Sequence, residues 1–318
     1  MTTASHTPSV VVLSGGVGGA RFAHGVSRAL PPESLTVVVN TGDDFEHWGL
    51  SISPDLDTVM YTLADLADEA RGWGLTGETF RALDAMKRYG GDDWFGLGDA
   101  DLATHLIRSQ ALRSGESLTA ITRRLCRANG VFAQIVPMSD GPCRTLIETA
   151  EHGTLPFQQW FVKHRAPAVH AVRFDGDPVA APEAVAAIER ADVILIGPSN
   201  PYVSIDPILT RPGLRAAMSG KVVVAVSPIV RGLAVKGPLA EMIPALAQRA
   251  PSPVAIAQHY DGLVTAMVVE RGDEDAFAAL DVAGRRVGVL ASDTVMRSRA
   301  DSLRLAREVL DFATGLRA

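Results

Sequence analysis

A glycine-rich segment near the amino terminus has the residue types that bind phosphate. The segment SGGVGGAR spans residues 14–21 and contains Ser14, Gly15, Gly16, Gly18 and Gly19. Glycine lets backbone N–H groups approach a phosphate because no Cβ stands in the way, and the start of a helix adds partial positive charge. Four glycines within residues 15–19 exceed what a tight turn needs. The segment therefore predicts a phosphate-binding loop for a nucleotide diphosphate, to which Ser14 adds a hydroxyl donor.

Two common phosphate motifs do not fit this loop. The dinucleotide fingerprint G-x-G-x-x-G matches Gly16 and Gly18 but finds Arg21 at its third glycine. A Walker loop requires Gly-Lys-Ser/Thr, which does not follow here. No acidic residue holds a simple ribose-binding position about 20 residues on, so a nicotinamide oxidoreductase is a weaker hypothesis.

Four carboxylates follow the second apolar run of the sequence. Asp43 and Asp44 belong to NTGDD, and Asp55 and Asp57 belong to SPDLD. Turn formation and placement in the first turn of a helix would also explain them. Four unpaired carboxylates at one sheet edge would repel each other, however, and a Mg²⁺ that bridges carboxylates and diphosphate oxygens removes that conflict. We therefore expect Mg²⁺ to bind at least one of them.

Further polar groups follow later parts of the chain. The segment GPSNP at 197–201 comes directly after a buried run, and its Ser199 and Asn200 have hydrogen-bonding groups suited to a base or a phosphate. Asp99 and Asp101 stand at the start of a helix pattern, where capping is an equally good explanation. His105 on that helix is either a base or a packed residue.

Continuous β-branched runs indicate strands buried on both faces, as in a parallel sheet. Such runs are followed by loops and helix patterns at 10–13, 35–39, 193–196, 222–226 and 287–290. Helix patterns occupy 20–30 and 295–316. The alternation predicts an α/β fold with a Rossmann-like, doubly wound, mostly parallel sheet.

The middle of the chain follows a different pattern. Helical spacing of apolar residues recurs at 55–66, 78–88, 101–112 and 118–127, with short strand patterns at 131–136, 145–149 and 169–174. We expect a largely helical inserted subdomain at 61–185 that caps the sheet. The nucleotide-binding core would then comprise 1–60 and 186–318.

Composition excludes several classes of partner. The net charge is −6 with no Lys/Arg run, which argues against a nucleic-acid partner. No apolar stretch reaches the roughly 20 residues that span a bilayer, so no membrane partner is expected. The polar start of the chain lacks a signal-peptide core, and Cys126 and Cys143 suit free thiols in a reducing compartment. We expect a cytoplasmic protein, and a homodimer.

The segments together resemble a known enzyme family. In order they are SGGVGGAR, VVVNTGDD, SPDLDTVMYTL, RGWG, DWFGLGDADLATH, IRSQ, PMSD, GPSNPYVSI and VAVSPIV, and they extend from about residue 10 to 293. This order is similar to that of the 2-phospho-L-lactate transferase family (CofD or FbiA), which builds the deazaflavin coenzyme F-420. The resemblance implies transfer of a phosphorylated three-carbon acid from a guanosine diphosphate adduct to the ribityl hydroxyl of the deazaflavin Fo, with release of GMP.

The resemblance also implies site residues. It assigns Asp43 and Asp57 to the metal, and Asp57 and Gly96 to Fo. It assigns the guanosine diphosphate part to residues 15–19 and 197–201. Asp57 is the candidate catalytic residue, which would orient or deprotonate the attacking hydroxyl.

Donors differ among members of this family, with lactyl, enolpyruvyl and glyceryl forms. Many relatives read LGDRD where this chain has Ala100, so any charge at that position is absent here. The resemblance to bacterial relatives favours an enolpyruvyl or glyceryl donor. The alternative hypothesis is a non-catalytic regulator that binds sugar nucleotides and shares this core fold and glycine loop.

Overall fold

Short helices and strands alternate along most of the chain. The computed structural model describes residues 7–317 except 261, 278–280 and 283–284. The strands are β1 (Val10–Ser14), β2 (Leu35–Val39), β3 (Phe45–His47), β4 (Leu50–Ile52), β5 (Gln134–Pro137), β6 (Arg144–Thr149), β7 (Gly153–Pro156), β8 (Val169–Asp175), β9 (Val193–Ile196), β10 (Val222–Val226), β11 (Ile229–Val230), β12 (Leu233–Ala234), β13 (Ala266–Glu270), β14 (Asp281–Val282), β15 (Arg285–Arg286) and β16 (Gly288–Ser292).

The α-helices surround these strands. They are α1 (Gly16–Ala29), α2 (Pro54–Leu63), α3 (Arg81–Arg88), α4 (Asp101–Arg113), α5 (Leu118–Ala128), α6 (Pro182–Arg190), α7 (Asp206–Leu209), α8 (Leu214–Ala217), α9 (Leu239–Ala247), α10 (Pro253–His259) and α11 (Arg299–Gly315). Residues Gln159–Lys163 and Pro201–Ile205 form short π-helical turns. No helix in the described part of the chain is long and apolar enough to cross a membrane.

Seven strands form one parallel sheet in the order β16-β13-β10-β9-β1-β2-β5. Residues 10–14 of β1 are at most 1% exposed, because the strand lies in the middle of the sheet with helices on both faces. Alternate residues of β1 contribute to two separate cores: Val10 and Val12 pack with α1, α2 and α11, whereas Val11 and Leu13 pack with α6, α9 and α10. The predicted α/β fold is confirmed.

The order in which strands are added to this sheet changes side at its centre, between β1 and β9. From β1 the chain proceeds to β2 and β5 on one side, and from β9 to β10, β13 and β16 on the other. The loops that follow β1 and β9 therefore leave the sheet side by side at its carboxyl edge. In open α/β sheets this switch point forms the crevice in which ligands bind.

Several elements differ from the sequence-based predictions. The strand β5 falls within the range 61–185 but pairs with β2 in the central sheet. That range also holds a three-stranded antiparallel sheet in the order β7-β6-β8, beside its helices. The strand β13 was not predicted, and α11 begins at Arg299 rather than 295, after a Ser298 cap.

Candidate functional site

The glycine loop between β1 and α1 is fastened to the loop that follows β9. The Ser199 hydroxyl donates a hydrogen bond to the Gly15 carbonyl (2.8 Å) and accepts one from the Gly15 amide (3.2 Å). The Ser14 hydroxyl is buried and has no hydrogen-bond partner among the described residues. Ser199 therefore fixes the position of the loop, whereas the buried Ser14 hydroxyl has unused hydrogen-bonding capacity.

The glycines of this loop have two different tasks. A Cβ at Gly18 would lie 2.6 Å from the Pro198 carbonyl oxygen, and one at Gly19 would lie 2.4 Å from Ser199 Oγ. These two glycines let the loops touch. Gly16 has a φ of +64°, and a Cβ there would meet nothing within 4 Å. The open side of Gly16 is therefore the place where a phosphate can reach the loop backbone.

Asp55 connects the glycine loop to the end of β2. Its Oδ1 accepts a hydrogen bond from the Gly16 amide (2.8 Å), and its Oδ2 accepts one from Asn40 Nδ2 (2.9 Å). The Asn40 side-chain oxygen accepts in turn from the Gly42 amide (2.7 Å). Burial raises the pKa of Asp55 from 3.8 to about 6, against these hydrogen bonds. Asp55 thus places a buried acid directly beside the phosphate loop.

Asp43 and Asp44 lie at the same edge and have incomplete hydrogen bonding. Oδ1 of each is buried without a partner among the described residues, although Ser53 Oγ donates to Asp44 Oδ2 (2.7 Å). Burial, followed by the charge of Asp55, raises the pKa of Asp43 well above its usual range. Burial does the same for the pKa of Asp44. The edge therefore crowds buried carboxyl groups whose charged form a cation would stabilise.

Asp57 belongs to a separate buried network. Arg108 Nη1 donates to Asp57 Oδ2 (3.0 Å), and Arg108 Nη2 donates to the other oxygen. His105 Nδ1 lies 3.2 Å from Arg108 Nη1, and His105 Nε2 lies 3.2 Å from Asp101 Oδ2. The Tyr61 hydroxyl donates to Asp101 Oδ1 (2.6 Å). Both oxygens of Asp57 are thus already used by a buried guanidinium.

The carboxylates at the edge fit Mg²⁺ only when substrate phosphates supply further ligands. No three His, Cys, Asp or Glu side chains within the described residues gather into a metal site by themselves. Mg²⁺ usually binds through one or two carboxylates together with substrate phosphates, however. Asp43 has an orphaned buried oxygen and interacts with the charge of Asp55, so this pair fits. Asp57 fits less well, because Arg108 already balances its charge.

An aromatic cluster lies next to the acidic edge. Its rings come from the β3–β4 hairpin and from residues 94–95, with the Phe45 and Phe95 centroids 4.8 Å apart and the Phe45 and Trp94 centroids 5.7 Å apart. His47 and Trp48 stack at 5.1 Å on the same hairpin. These five side chains, called the aromatic cluster below, provide flat apolar surface beside Asp43 and Asp44.

Gly96 follows the aromatic cluster in the chain. A Cβ at Gly96 would lie 2.7 Å from the Trp73 ring, so the absence of a side chain lets this segment pack on Trp73. Its predicted contact with Fo stays a prediction. The same holds for Asn200, whose side-chain oxygen accepts from the Tyr202 amide (3.0 Å) and caps the π-helical turn after β9.

The structure thus brings most of the predicted residues to one edge. Residues 14–19, Ser199 and Asp43 converge at the switch point. Three features were not assigned from the sequence: the contact of Asp55 with the loop, the Arg108 partner of Asp57, and the aromatic cluster. The sequence signals for the first two were the motifs SPDLD and IRSQ. In the aromatic cluster, Trp94 and Phe95 belong to the motif DWFGLGD, and its other rings directly follow NTGDD.

Comparison with known proteins gives consistent matches over nearly the whole chain. The family model described as 2-phospho-L-lactate transferase CofD matches residues 10–295. A 2-phospho-L-lactate transferase from Methanosarcina mazei is 41% identical, covering 95% of this chain and 99% of that protein. A phosphoenolpyruvate transferase from Streptomyces griseus is also 41% identical, covering 97% and 99%. Overall similarity therefore does not favour the donor of the bacterial relative over the donor of the archaeal relative.

The fold is shared more widely than the sequence. A solved structure from Bacillus halodurans, described as a member of the upf0052 family, superimposes with a TM-score of 0.61 at 17% identity. It covers 96% of this chain and 99% of its own, and this likeness concerns the fold alone. The family match and the two relatives, by contrast, extend over the glycine loop, the acidic edge and the aromatic cluster, and this chain therefore belongs to the 2-phospho-L-lactate transferase family of enzymes.

Proposed function

We propose that this transferase moves a phosphorylated three-carbon acid from a guanosine diphosphate adduct to the deazaflavin Fo, with release of GMP, in the biosynthesis of coenzyme F-420. One observation carries the proposal. The open side of Gly16 and the unpartnered buried oxygen of Asp43 lie at one switch point, beside the aromatic cluster. A diphosphate at Gly16, a cation at Asp43 and a flat ring at the aromatic cluster would thus bind next to one another.

The glycine loop holds the diphosphate in this proposal. Phosphate oxygens approach on the open side of Gly16, where no side chain blocks the backbone. The unpartnered Ser14 hydroxyl adds a donor, and Ser199 keeps the loop in place through Gly15. Such fixed donors stabilise charge that develops on phosphate oxygens without reorganising during the reaction.

Asp43 and Asp55 hold Mg²⁺ together with the diphosphate. When bound, the metal neutralises the diphosphate and the departing GMP. The two carboxylates need this compensation, because burial and their mutual repulsion raise the pKa of Asp43. The roles predicted for Asp57 as metal ligand and base remain predictions. In the structure its two oxygens position Arg108.

The ring of Fo packs against the aromatic cluster. Stacked and edge-to-face arrangements of the kind seen between Phe45, Trp94 and Phe95 favour flat aromatic ligands. The terminal ribityl oxygen then forms a bond to the phosphorus that carries the acid. The bond from that phosphorus to GMP breaks, GMP leaves with the electron pair, and the hydroxyl proton passes to a nearby carboxylate or to water. Catalysis rests on alignment and charge neutralisation.

Mass spectrometry of the products tests this function. The purified protein is incubated with Fo, Mg²⁺ and one of three guanylylated donors, carrying lactyl, enolpyruvyl or glyceryl phosphate. One donor is expected to give a deazaflavin product with the corresponding added mass, which also identifies the acid. If none of the three yields a deazaflavin product, the proposed function is wrong.

A second candidate function is a regulator that binds sugar nucleotides. The open side of Gly16 would accept the diphosphate of a sugar nucleotide as well as that of a guanosine adduct. Thermal melting separates the two. Stabilisation by Fo with GDP is expected for the transferase, whereas stabilisation by UDP-sugars without any response to Fo would favour the regulator.

Two further properties belong to the same proposal. The two described cysteines are buried free thiols, which suits the reducing cytoplasm. We also propose a homodimer, which sedimentation would detect as twice the mass of 33.7 kDa.

A further inference from the structure

A pocket next to the glycine loop is lined by Arg21, and Lys236 reaches its wall at Gly72; among the described residues neither cation has an acidic partner. The pocket lies between α1, α2 and residues 67–74, and Val17 and Thr58 line it. These residues directly follow Gly16 and Asp57 in the chain, so the pocket is a neighbour of the phosphate loop. Its charged lining includes Arg21 and Arg299 together with Asp68 and Glu69.

Arg21 extends from the first turns of α1 into this pocket. Its Nη1 donates to the Met296 carbonyl (3.1 Å), which orients the guanidinium but leaves its charge uncompensated. Among the described residues, Arg21 forms no ion pair. Four of its five N–H donors remain for a ligand.

Lys236 approaches the same pocket from the segment after the β11–β12 hairpin. Its Nζ lies 2.8 Å from the position of a Cβ on Gly72, which lines the pocket. Lys236 also has no ion-pair partner within the described residues. Arg21 lines the pocket and Lys236 reaches its Gly72 wall, so both cations lie at one pocket. Burial, and then the charge of Arg21, lowers the pKa of Lys236.

The acids of the pocket do not compensate these cations. Asp68 Oδ2 pairs with Arg71 Nη2 (3.0 Å), and Glu69 Oε1 pairs with Arg299 Nε (2.5 Å). Both carboxylates are therefore already matched by arginines. Arg21 and Lys236 leave a surplus of positive charge on the pocket wall.

We propose that Arg21 and Lys236 form an oxyanion subsite that binds a phosphate or carboxylate group of the donor substrate. The inference rests on the proposed function for the identity of the donor. Arg21 is half-buried and Lys236 is exposed at the pocket wall. Two like charges at one pocket are stabilised by an anion between them, and an arginine offers paired donors to such a group. The subsite would hold the donor next to the phosphate loop.

Calorimetry with small anions tests the subsite without Fo. GDP, phosphoenolpyruvate and inorganic phosphate are titrated into wild-type protein and into Arg21→Gln and Lys236→Gln. Loss of one charge-assisted contact weakens binding by about tenfold or more. The conservative Arg21→Lys and Lys236→Arg variants should retain most of the affinity, and exposed Lys163→Gln should match the wild type.

The probes identify the group that occupies the subsite. Weaker binding of GDP in both Gln variants would assign it to the diphosphate. Weaker binding of phosphoenolpyruvate with GDP unchanged would assign it to the acid. Both outcomes support the subsite. Unchanged affinity for all three probes, equal weakening in Lys163→Gln, or no binding of any probe to the wild type would overturn it. Because no product is measured, failure here leaves the test of the transferase function separate.

Discussion

Replacement of Asp43 by Asn should separate metal binding from folding. In the folded protein, burial and the charge of Asp55 raise the pKa of Asp43, so ionisation of this carboxyl group costs free energy in the metal-free fold. Each unit of such a shift corresponds to about 1.4 kcal/mol. Asp43→Asn removes the ionisable group at nearly constant volume. The metal-free variant should therefore melt at the same temperature as the wild type or higher, while it turns over far more slowly.

The expected effect of Mg²⁺ can be stated in degrees. With GDP present and Mg²⁺ at a hundredfold excess over its Kd, binding stabilises the folded state by about 2.7 kcal/mol. For 318 residues the entropy of unfolding is roughly 0.7 kcal/mol/K, so the melting temperature should rise by about 4 °C. Asp43→Asn should lose most of this rise.

Differential scanning calorimetry with and without Mg²⁺, each in the presence of GDP, measures both quantities. Exposed Asp311→Asn is a control that should keep the full rise. An equal Mg²⁺-dependent rise in Asp43→Asn and the wild type would refute the assignment of the metal to Asp43. A metal-free variant that melts well below the wild type would refute the interpretation of Asp43 as a buried carboxyl group whose ionisation costs free energy.

Three further predictions concern neighbouring residues. Gly16→Ala should weaken GDP binding in calorimetry by about tenfold or more. Gly115 also has a positive φ and open space around it, so Gly115→Ala should cost similar stability but no affinity for GDP. Equal affinity for GDP in the two variants would show that Gly16 serves only the turn. Arg108→Met should lower the free energy of unfolding by about 3–5 kcal/mol in denaturant melts, because it leaves Asp57 as an unpaired buried charge. The Asp57→Leu/Arg108→Met double variant should regain stability but have no activity. An active double variant would exclude Asp57 from catalysis. The contribution of Asp55 to stability should be present below about pH 4 and lost as the pH rises to about 6, since its folded pKa lies above 3.8. Asp55→Asn should reduce this fall, to which Asp43 and Asp44 also contribute, and an unchanged pH profile would contradict the raised pKa of Asp55.

The central strands were predictable because their environment imposes a simple pattern. Strands β1, β2, β9 and β10 are buried on both faces, and only continuous apolar runs satisfy that environment. The local sequence pattern of the edge strand β5 fits a strand of a separate subdomain equally well. Its place beside β2 depends on a pairing between residues about 98 positions apart, for example Thr36 with Gln134, which no local signal records.

The acidic edge shows where prediction from sequence ends. Asp55 and Asp57 stand two positions apart in α2, and residues at that spacing point to different faces of a helix. Asp55 faces the glycine loop, and Asp57 faces Arg108 on α4, 51 positions away. The motif could place both acids near the site, but only the packing of α4 decides which of them has its charge balanced by an arginine.

A single-turnover reaction with excess enzyme tests the central claim most directly. Wild-type protein is mixed with Fo, Mg²⁺ and the donor that is turned over, and the guanine and deazaflavin species are quantified together by mass spectrometry. We predict equal amounts of GMP and of Fo bearing the phosphorylated acid, both formed far more slowly by Asp43→Asn. Release of GDP in place of GMP, or consumption of the donor without a deazaflavin product, would contradict attack at the phosphorus that carries the acid.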